Sequence, residues 1–346
     1  MARTAGTRVT VRAIAAEAGV SIATVSRVMN GRVPVSDETQ DLVRRAVERL
    51  GAPPPAPRGS ADGAVYVHCP YVLTDYFGLI VSSIAETLDL HGRRLILGAG
   101  TASRDSLALP ALPNDPAVAG AIMILPPEPS EELEALRARG LSFVVIDPMT
   151  PLREDIAAVS AAHVAGARSV TAHLTALGHR RIGVINGPNE WLASHSRIVG
   201  HTSALAETGI LPEPELLRSI EPTVDLGYRA ACELLDLPMR PSAIVAFNDK
   251  AAVGALRAAS ERGLRVPEDL SVTGFDDIDL GRSTTPMITT VRQPLEEMGR
   301  MAVSLLERLL SRHTVDTLHI ELATHLIVRG STGPAPNQPS TGPSPR

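Results

Sequence analysis

The sequence predicts a two-part chain: a small all-α head of three short helices, and a larger α/β body of two similar lobes built on parallel sheets. Three observations point there. Residues 10–51 carry apolar side chains at helical spacing only. Four prolines fall within Pro53-Pro54-Pro55-Ala56-Pro57, where missing backbone donors force an extended linker. From Val65 onward short apolar runs alternate with helix-period stretches, the mark of parallel strands covered by helices. At 346 residues the chain exceeds one ordinary core.

In the head, Thr10 is the expected cap of a first helix with Val11, Ile14, Ala15 and Ala18 inward, ended by Gly19. Ser21 caps a second, with Val25, Val28 and Met29 inward and Asn30-Gly31 as its stop. Ser36 caps a third, with Leu42, Val43, Ala46, Val47 and Leu50 inward and Gly51 closing it. The head and its linker (52–61) therefore occupy 1–58 and the first residues beyond. The body runs from about 62 to 330, with strands expected at Ala64–Val67, Arg94–Leu97, Ala121–Leu125, Phe143–Ile146, Arg181–Ile185, Ile244–Phe247, Leu270–Thr273 and Ile288–Val291. The stretch 331–346 is Gly, Pro, Ser and Thr and reads as a disordered tail.

Composition narrows the classes. Hydrophobic residues make up 44%, but aromatics only 3%, so the cores must be aliphatic and an aromatic cluster in a cleft would stand out. Residues 1–58 hold nine Arg against five acids, a net of +4 that leaves −9 for the rest of a chain totalling −5. A basic head on an acidic body suits contact with a polyanion at one end. Cys69 and Cys232 are far apart and fit no metal-ligand spacing, so no metal or cofactor is expected. No apolar run approaches the roughly 20 residues of a membrane span. The N-terminus lacks an apolar signal region, so a cytoplasmic location is expected.

The second helix carries the chemistry of the head. With Val25, Val28 and Met29 turned in, Ile22, Ser26 and Asn30 form one outward row, and Ala23 and Arg27 the next. That strip suits a helix whose N-terminal residues touch base edges in the major groove. Arg27 matches guanine, Ile22 and Ala23 a thymine methyl, and Ser21, Thr24 and Ser26 phosphates. The alternative is a generic three-helix bundle with an incidental polar face.

VTVRAIAAEAGVSIATVSRVMNG (9–31) closely resembles the N-terminal signature of the lactose/galactose-repressor (LacI/GalR) family. LGHRRIGVING (177–187), AIVAFNDKAAVGALRAASERGLRVPEDLSVTGFDD (243–277), TTVRQPLEEMGRMAV (289–303) and ELATHLIVRGST (321–332) resemble its core stretches, in order. The resemblance implies a type I periplasmic-binding-protein-like body crossed three times by the chain. The N-lobe would use about 62–160 and 290–320, the C-lobe about 161–289 and 321–330. It further implies a homodimer, or a dimer of dimers, on pseudo-palindromic operator DNA. A small effector, in this family commonly a carbohydrate, would bind between the lobes and repression would be its default output. Thr10, Ser21, Ile22, Ala23, Thr24, Ser26, Arg27 and Asn30 are then the DNA-binding candidates. By the same resemblance Arg197, Asn248, Asp249 and Asp276 line the cleft. Asp147, after the FVVID strand, joins them from the N-lobe, with Trp191 placed to stack and Tyr76 and Phe77 forming the other wall. Asp249 and Asp277 have helix capping as their alternative.

The chain departs from the family in three places. Its linker, PPPAPRGSADG, lacks the usual hinge-helix leucine and holds too many prolines for a regular helix, which puts minor-groove kinking in doubt. Ala162 and His163 stand where an Asp-Asn type pair is usual, and His201 replaces a common aromatic. A carbohydrate stays the first expectation, with a nucleoside or phosphorylated metabolite open. No nucleophile elbow, Walker A loop or His-Glu-x-x-His occurs, so an enzyme is not expected and no catalytic residue is assigned. A solute-binding protein without DNA function is the alternative that would share the body.

Overall fold

The structure is a computed structural model and describes residues 11–22, 24, 25, 28, 36–50, 63–100, 103, 108–311 and 317–336. In the head, α1 (Val11–Ala18) and α2 (Asp37–Arg49) flank Ile22, Thr24, Val25 and Val28, each of them helical. Ile14, Ala15, Val25, Val43, Ala46 and Val47 make the core. Gly19 turns the chain at φ +65°, a conformation glycine adopts freely. The Ser21 hydroxyl accepts the Thr24 amide at 3.0 Å, the cap expected of it. Leu42 is the exception: it is 42% exposed, because the α2 stripe of Val43, Ala46 and Val47 already fills the small interior. The expected Thr10 cap, Met29 and the whole linker lie outside the described residues.

The body follows in chain order as β1 (Ala64–Cys69), α3 (Asp75–Leu90), β2 (Leu95–Ala99), α4 (Ala108–Ala111), β3 (Val118–Ile124), α5 (Ser130–Ala138), β4 (Phe143–Ile146) and β5 (Ala157–Ala161). Next come α6 (His163–Ala176), β6 (Ile182–Asn186), α7 (Leu192–Glu207), β7 (Leu217–Ser219), α8 (Val224–Leu235), β8 (Ala243–Ala246) and α9 (Asp249–Glu261). The chain ends with β9 (Ser271–Asp276), α10 (Asp279–Arg282), β10 (Thr289–Arg292), α11 (Leu295–Leu310), β11 (His319–Leu322) and β12 (His325–Ile327). Two six-stranded sheets result. The N-lobe sheet runs β11-β5-β4-β3-β1-β2, parallel throughout, and the C-lobe sheet runs β12-β10-β9-β8-β6-β7 with only β12 antiparallel. Strands such as β3 are buried on both faces, which is why they read as continuous apolar runs.

Helices cover each sheet. Ile80, Ile84 and Leu88 of α3 pack with Met298, Ala302 and Leu306 of α11 on one N-lobe face. In the C-lobe α8 and α9 touch backbone to backbone: a Cβ on Gly227 would lie 2.6 Å from the Ala251 Cα, and one on Gly254 would collide with the Val224 carbonyl oxygen. Alanines 251, 252, 255, 258 and 259 continue that close seam.

The chain crosses between lobes at Ala162, at residues 293–294 and at residues 323–324. Each crossing falls later than expected. Thr290–Arg292 pair with Gly274–Asp276 and belong to the C-lobe, not the N-lobe. Ala161, Glu321 and Leu322, expected in the C-lobe, belong to the N-lobe, where Glu321 and Leu322 pair with Ser160 and Ala161. Strand pairing continues up to the cleft edge, so the hinge takes only one or two residues per crossing.

The tail expectation also needs correction for residues 331–336. Ser331 is buried; its hydroxyl accepts the Thr289 amide at 2.8 Å and donates to the Val272 carbonyl at 2.6 Å. Gly333 donates to Ser271 Oγ at 3.1 Å, and Ala335 donates to the Leu177 carbonyl at 2.8 Å. A polar, proline-rich strap can be ordered when each backbone group finds a partner. Residues 337–346 lie outside the described residues.

Candidate ligand-binding cleft and DNA-reading head

Between the lobes, the C-terminal ends of the strands face the N-termini of α3, α6, α7, α8 and α9, the usual place for a ligand in parallel α/β folds. A cavity of about 210 Å³ opens there. The chain has nine aromatic residues, and five of them, Tyr71, Tyr76, Phe77, Trp191 and Phe247, line this cavity. Tyr71 and Phe77 stack 4.6 Å apart on the N-lobe side, and Trp191 meets Phe247 edge-on at 5.9 Å on the C-lobe side. Random placement would not concentrate so scarce a residue type.

Between the aromatic walls runs a polar chain. The Tyr76 hydroxyl donates to Asp147 Oδ2 at 2.7 Å, and the Ala161 amide donates to Oδ1 at 3.1 Å. His163 Nε2 lies 3.2 Å from the same Oδ1, and Arg197 Nη2 lies 3.4 Å from His163 Nδ1. If the guanidinium donates to Nδ1, the imidazole proton sits on Nε2 and points at Asp147. Arg197 also donates to the Phe247 carbonyl, and its guanidinium is held 4.1 Å from the Phe247 ring centre and 3.7 Å from that of Phe275. Asp276 Oδ1 stands 4.0 Å from Arg197 Nη2 and accepts the Gln293 amide at 2.7 Å.

Burial sets the charges. It works to raise the Asp147 pKa, but His163, the Tyr76 hydroxyl and the Ala161 amide together hold that carboxyl below its ordinary value. For Asp276 burial wins over Arg197 and Gln293 and pushes the pKa up to about 6. Burial also lowers the Arg197 pKa, against the pull of Asp276. The Arg197 Nε is buried and has no hydrogen-bond partner among the described residues, an unsatisfied donor behind the cavity wall. Backbone strain gathers here too. Leu125 (φ +44°), Asp147 (φ +47°) and Asp276 (φ +106°) all line the cavity, and each such residue costs roughly 1–3 kcal/mol. Strain kept at two facing carboxylates is the pattern of a site built for binding.

Seven of the eight expected residues, Tyr76, Phe77, Asp147, Trp191, Arg197, Asn248 and Asp276, meet at this cavity. Asp249 does not. Its carboxylate turns beneath α9, accepting the Thr290 hydroxyl at 2.6 Å and the Ile278 amide at 2.9 Å. Nor does it cap the helix; Asn248 Oδ1 takes the Ala251 amide at 2.9 Å. Burial and the nearby Asp276 push the Asp249 pKa up to about 8. Asp277 is likewise no cap, and is gripped by Arg282, Arg292 and Arg329. Tyr71, His163, Phe247 and Lys250 were missed; each adjoins a strand end or helix start, a placement the sequence already offered. His201 sits outside this cavity, with Nδ1 2.9 Å from the Thr171 hydroxyl.

On the head, Ser21 and Thr24 present hydroxyls 2.8 Å apart beside Ile22, which is 47% exposed. Thr10, Ala23, Ser26, Arg27 and Asn30 lie outside the described residues.

Known proteins share this arrangement. Residues 10–54 match the bacterial regulatory proteins of the lacI family, and residues 171–332 match a periplasmic binding protein-like domain. The HTH-type transcriptional repressor CytR of Escherichia coli (strain K12) is 32% identical over 95% of this chain and 98% of its own length. The HTH-type transcriptional regulator MalR of Streptomyces coelicolor is 33% identical over 94% and 97%. Among solved structures, the transcriptional regulator CelR in complex with cellobiose aligns with a TM-score of 0.73 at 31% identity, over 94% of this chain and all of that one. The lac repressor dimer bound to operator and the anti-inducer ONPF aligns at 0.69 and 26% identity, with the same coverage. These relatives are regulators, not enzymes. The chain belongs to the lacI family of DNA-binding transcriptional regulators.

Proposed function

We propose that this protein is a repressor of carbohydrate uptake or catabolism genes whose operator affinity is set by a sugar bound between its lobes. The observation that carries the reading is the cleft: aromatic walls on two sides, with Asp147, Asp276 and Arg197 between them. Aromatic faces suit the apolar side of a pyranose, and carboxylates and a guanidinium suit vicinal hydroxyls. The cellobiose complex of CelR supports the same ligand class. A ligand preferring one lobe arrangement shifts the population of the other and, through the heads, the DNA affinity. The protein acts as a homodimer on a pseudo-palindromic operator, in keeping with the lac repressor dimer and with exposed Ile96 and Leu97 on the edge strand β2. The coupling runs through residues 52–61, where four prolines stand in place of the family's usual hinge leucine.

The test is a thermal-shift panel of mono- and disaccharides, cellobiose included, against nucleosides and sugar phosphates, followed by operator retardation with each hit. A sugar that raises the melting midpoint and changes retardation supports the reading; stabilisation by nucleosides alone overturns the ligand class. Arg27→Ala should weaken specific operator binding by roughly 1–3 kcal/mol without touching that stabilisation. Operator affinity that does not fall with rising salt would exclude DNA regulation.

A further inference from the structure

Of the 33 basic residues in this chain, one is a lysine. Lys250 is the second residue of α9 in the C-lobe, and its Nζ lies 3.0 Å from Oγ1 of Thr74, the residue preceding α3 in the N-lobe. The Thr74 hydroxyl is free for this contact because it does not cap its own helix. Among the described residues the ammonium has no carboxylate ion partner, so the interlobe hydroxyl is its anchor. Both residues line the cavity.

We propose that the Lys250–Thr74 hydrogen bond is the side-chain latch that holds the two lobes closed, which makes Lys250 a positioning residue for the effector response. This rests on the reading of the cleft as an effector site. The other interlobe bonds differ in kind. Leu192 donates its backbone amide to the Met149 carbonyl at 2.8 Å, and Asp147 meets His163 one residue past a chain crossing. The first uses no side chain and the second lies next to a crossing, whereas Lys250 and Thr74 join the lobes by side chains remote in sequence from every crossing. An ammonium has three donors on a flexible stem. One reaches Thr74, and the others stand at the cavity to take ligand oxygens. A bound sugar therefore orders the same group that bridges the lobes, so occupancy and closure reinforce each other.

The single lysine makes the latch measurable in the full-length protein. Acylation with N-hydroxysuccinimidyl acetate, read by mass spectrometry, can modify only Lys250 and the N-terminal amine. Thr74→Val should raise the Lys250 rate several-fold; an unchanged rate overturns the latch. Small-angle scattering should show Lys250→Met and Thr74→Val each opening the lobes, and the double variant opening them no further, because both remove one bond. Additive opening, or none, overturns it. Met and Val keep the packing volume, and an unchanged far-UV spectrum confirms that both variants fold. These readouts need no ligand, so failure of every sugar in the thermal-shift panel would sink the effector reading separately.

Discussion

Replacing Asp276 by Asn should stabilise the protein while silencing its response. Asp276 is 7% exposed, and burial lifts its pKa from 3.8 to about 6. Between those values the folded state binds more protons than the unfolded one, so stability falls as pH rises through the window. Above it the ionised, buried carboxylate costs the fold about 3 kcal/mol. Asn carries no such charge, and its Oδ1 can still accept from Gln293. Urea unfolding followed by circular dichroism should show the Asp276→Asn variant about 3 kcal/mol more stable than wild type near pH 7.5, roughly half of that near pH 5 and close to equal near pH 4. The same variant should lose sugar-induced stabilisation, because a ligand hydroxyl finds one acceptor fewer and Arg197 loses its counter-charge at 4.0 Å. A variant no more stable than wild type near pH 7.5, or a gain that does not shrink toward pH 5, would refute the reasoning.

Three further outcomes follow from other parts of the body. Trp191 is the only tryptophan and lies on the cleft wall against Phe247, so its fluorescence should change on sugar binding with the same midpoint as the thermal stabilisation; a silent Trp191 would remove it from the site. A chain truncated after Gly330 should be a few kcal/mol less stable than one truncated after Pro336, at about 1 kcal/mol for each net hydrogen bond lost around Ser331 and Gly333. Burial drops the His201 pKa from 6.5 to about 4, so the unfolded chain takes up the proton first on acidification. Stability present above pH 6.5 should fall by about 3 kcal/mol on the way to pH 4, and His201→Phe should abolish that loss in urea titrations.

Much of the body was legible because parallel strands buried on both faces announce themselves. β1, β3, β4 and β8 are largely apolar runs dominated by Val, Ile and Ala. The strands that escaped, β5, β7, β11 and β12, are short, alanine-rich or at sheet edges, where half-exposed polar residues dilute the pattern. The strap at 331–336 was hidden for a different reason: its order comes from Ser271, Thr289 and His179, which are 42 or more residues away in sequence. Composition reports what a segment can do for itself, not what a distant surface offers it.

The cleft was legible in kind but not in azimuth, and Asn248-Asp249-Lys250 shows why. A motif at a strand end locates the helix start, yet successive residues rotate by about 100°, so three neighbours face three directions. Asn248 caps the helix, Asp249 turns under it, and Lys250 faces the cleft. Ala251, Ala252, Ala255, Ala258 and Ala259 define the buried face of α9, and Lys250 stands on the side away from it. Both Lys250 and Asp249 lie more than about 100° from the centre of that face, and their partners separate them: Thr290 and the Ile278 amide draw Asp249 inward, and Thr74 holds Lys250 at the cleft. The buried Asp249 carboxylate, with its pKa pushed up to about 8, is held by Thr290 and Ile278 and serves the junction of α9 with β9 and β10 rather than the cavity wall.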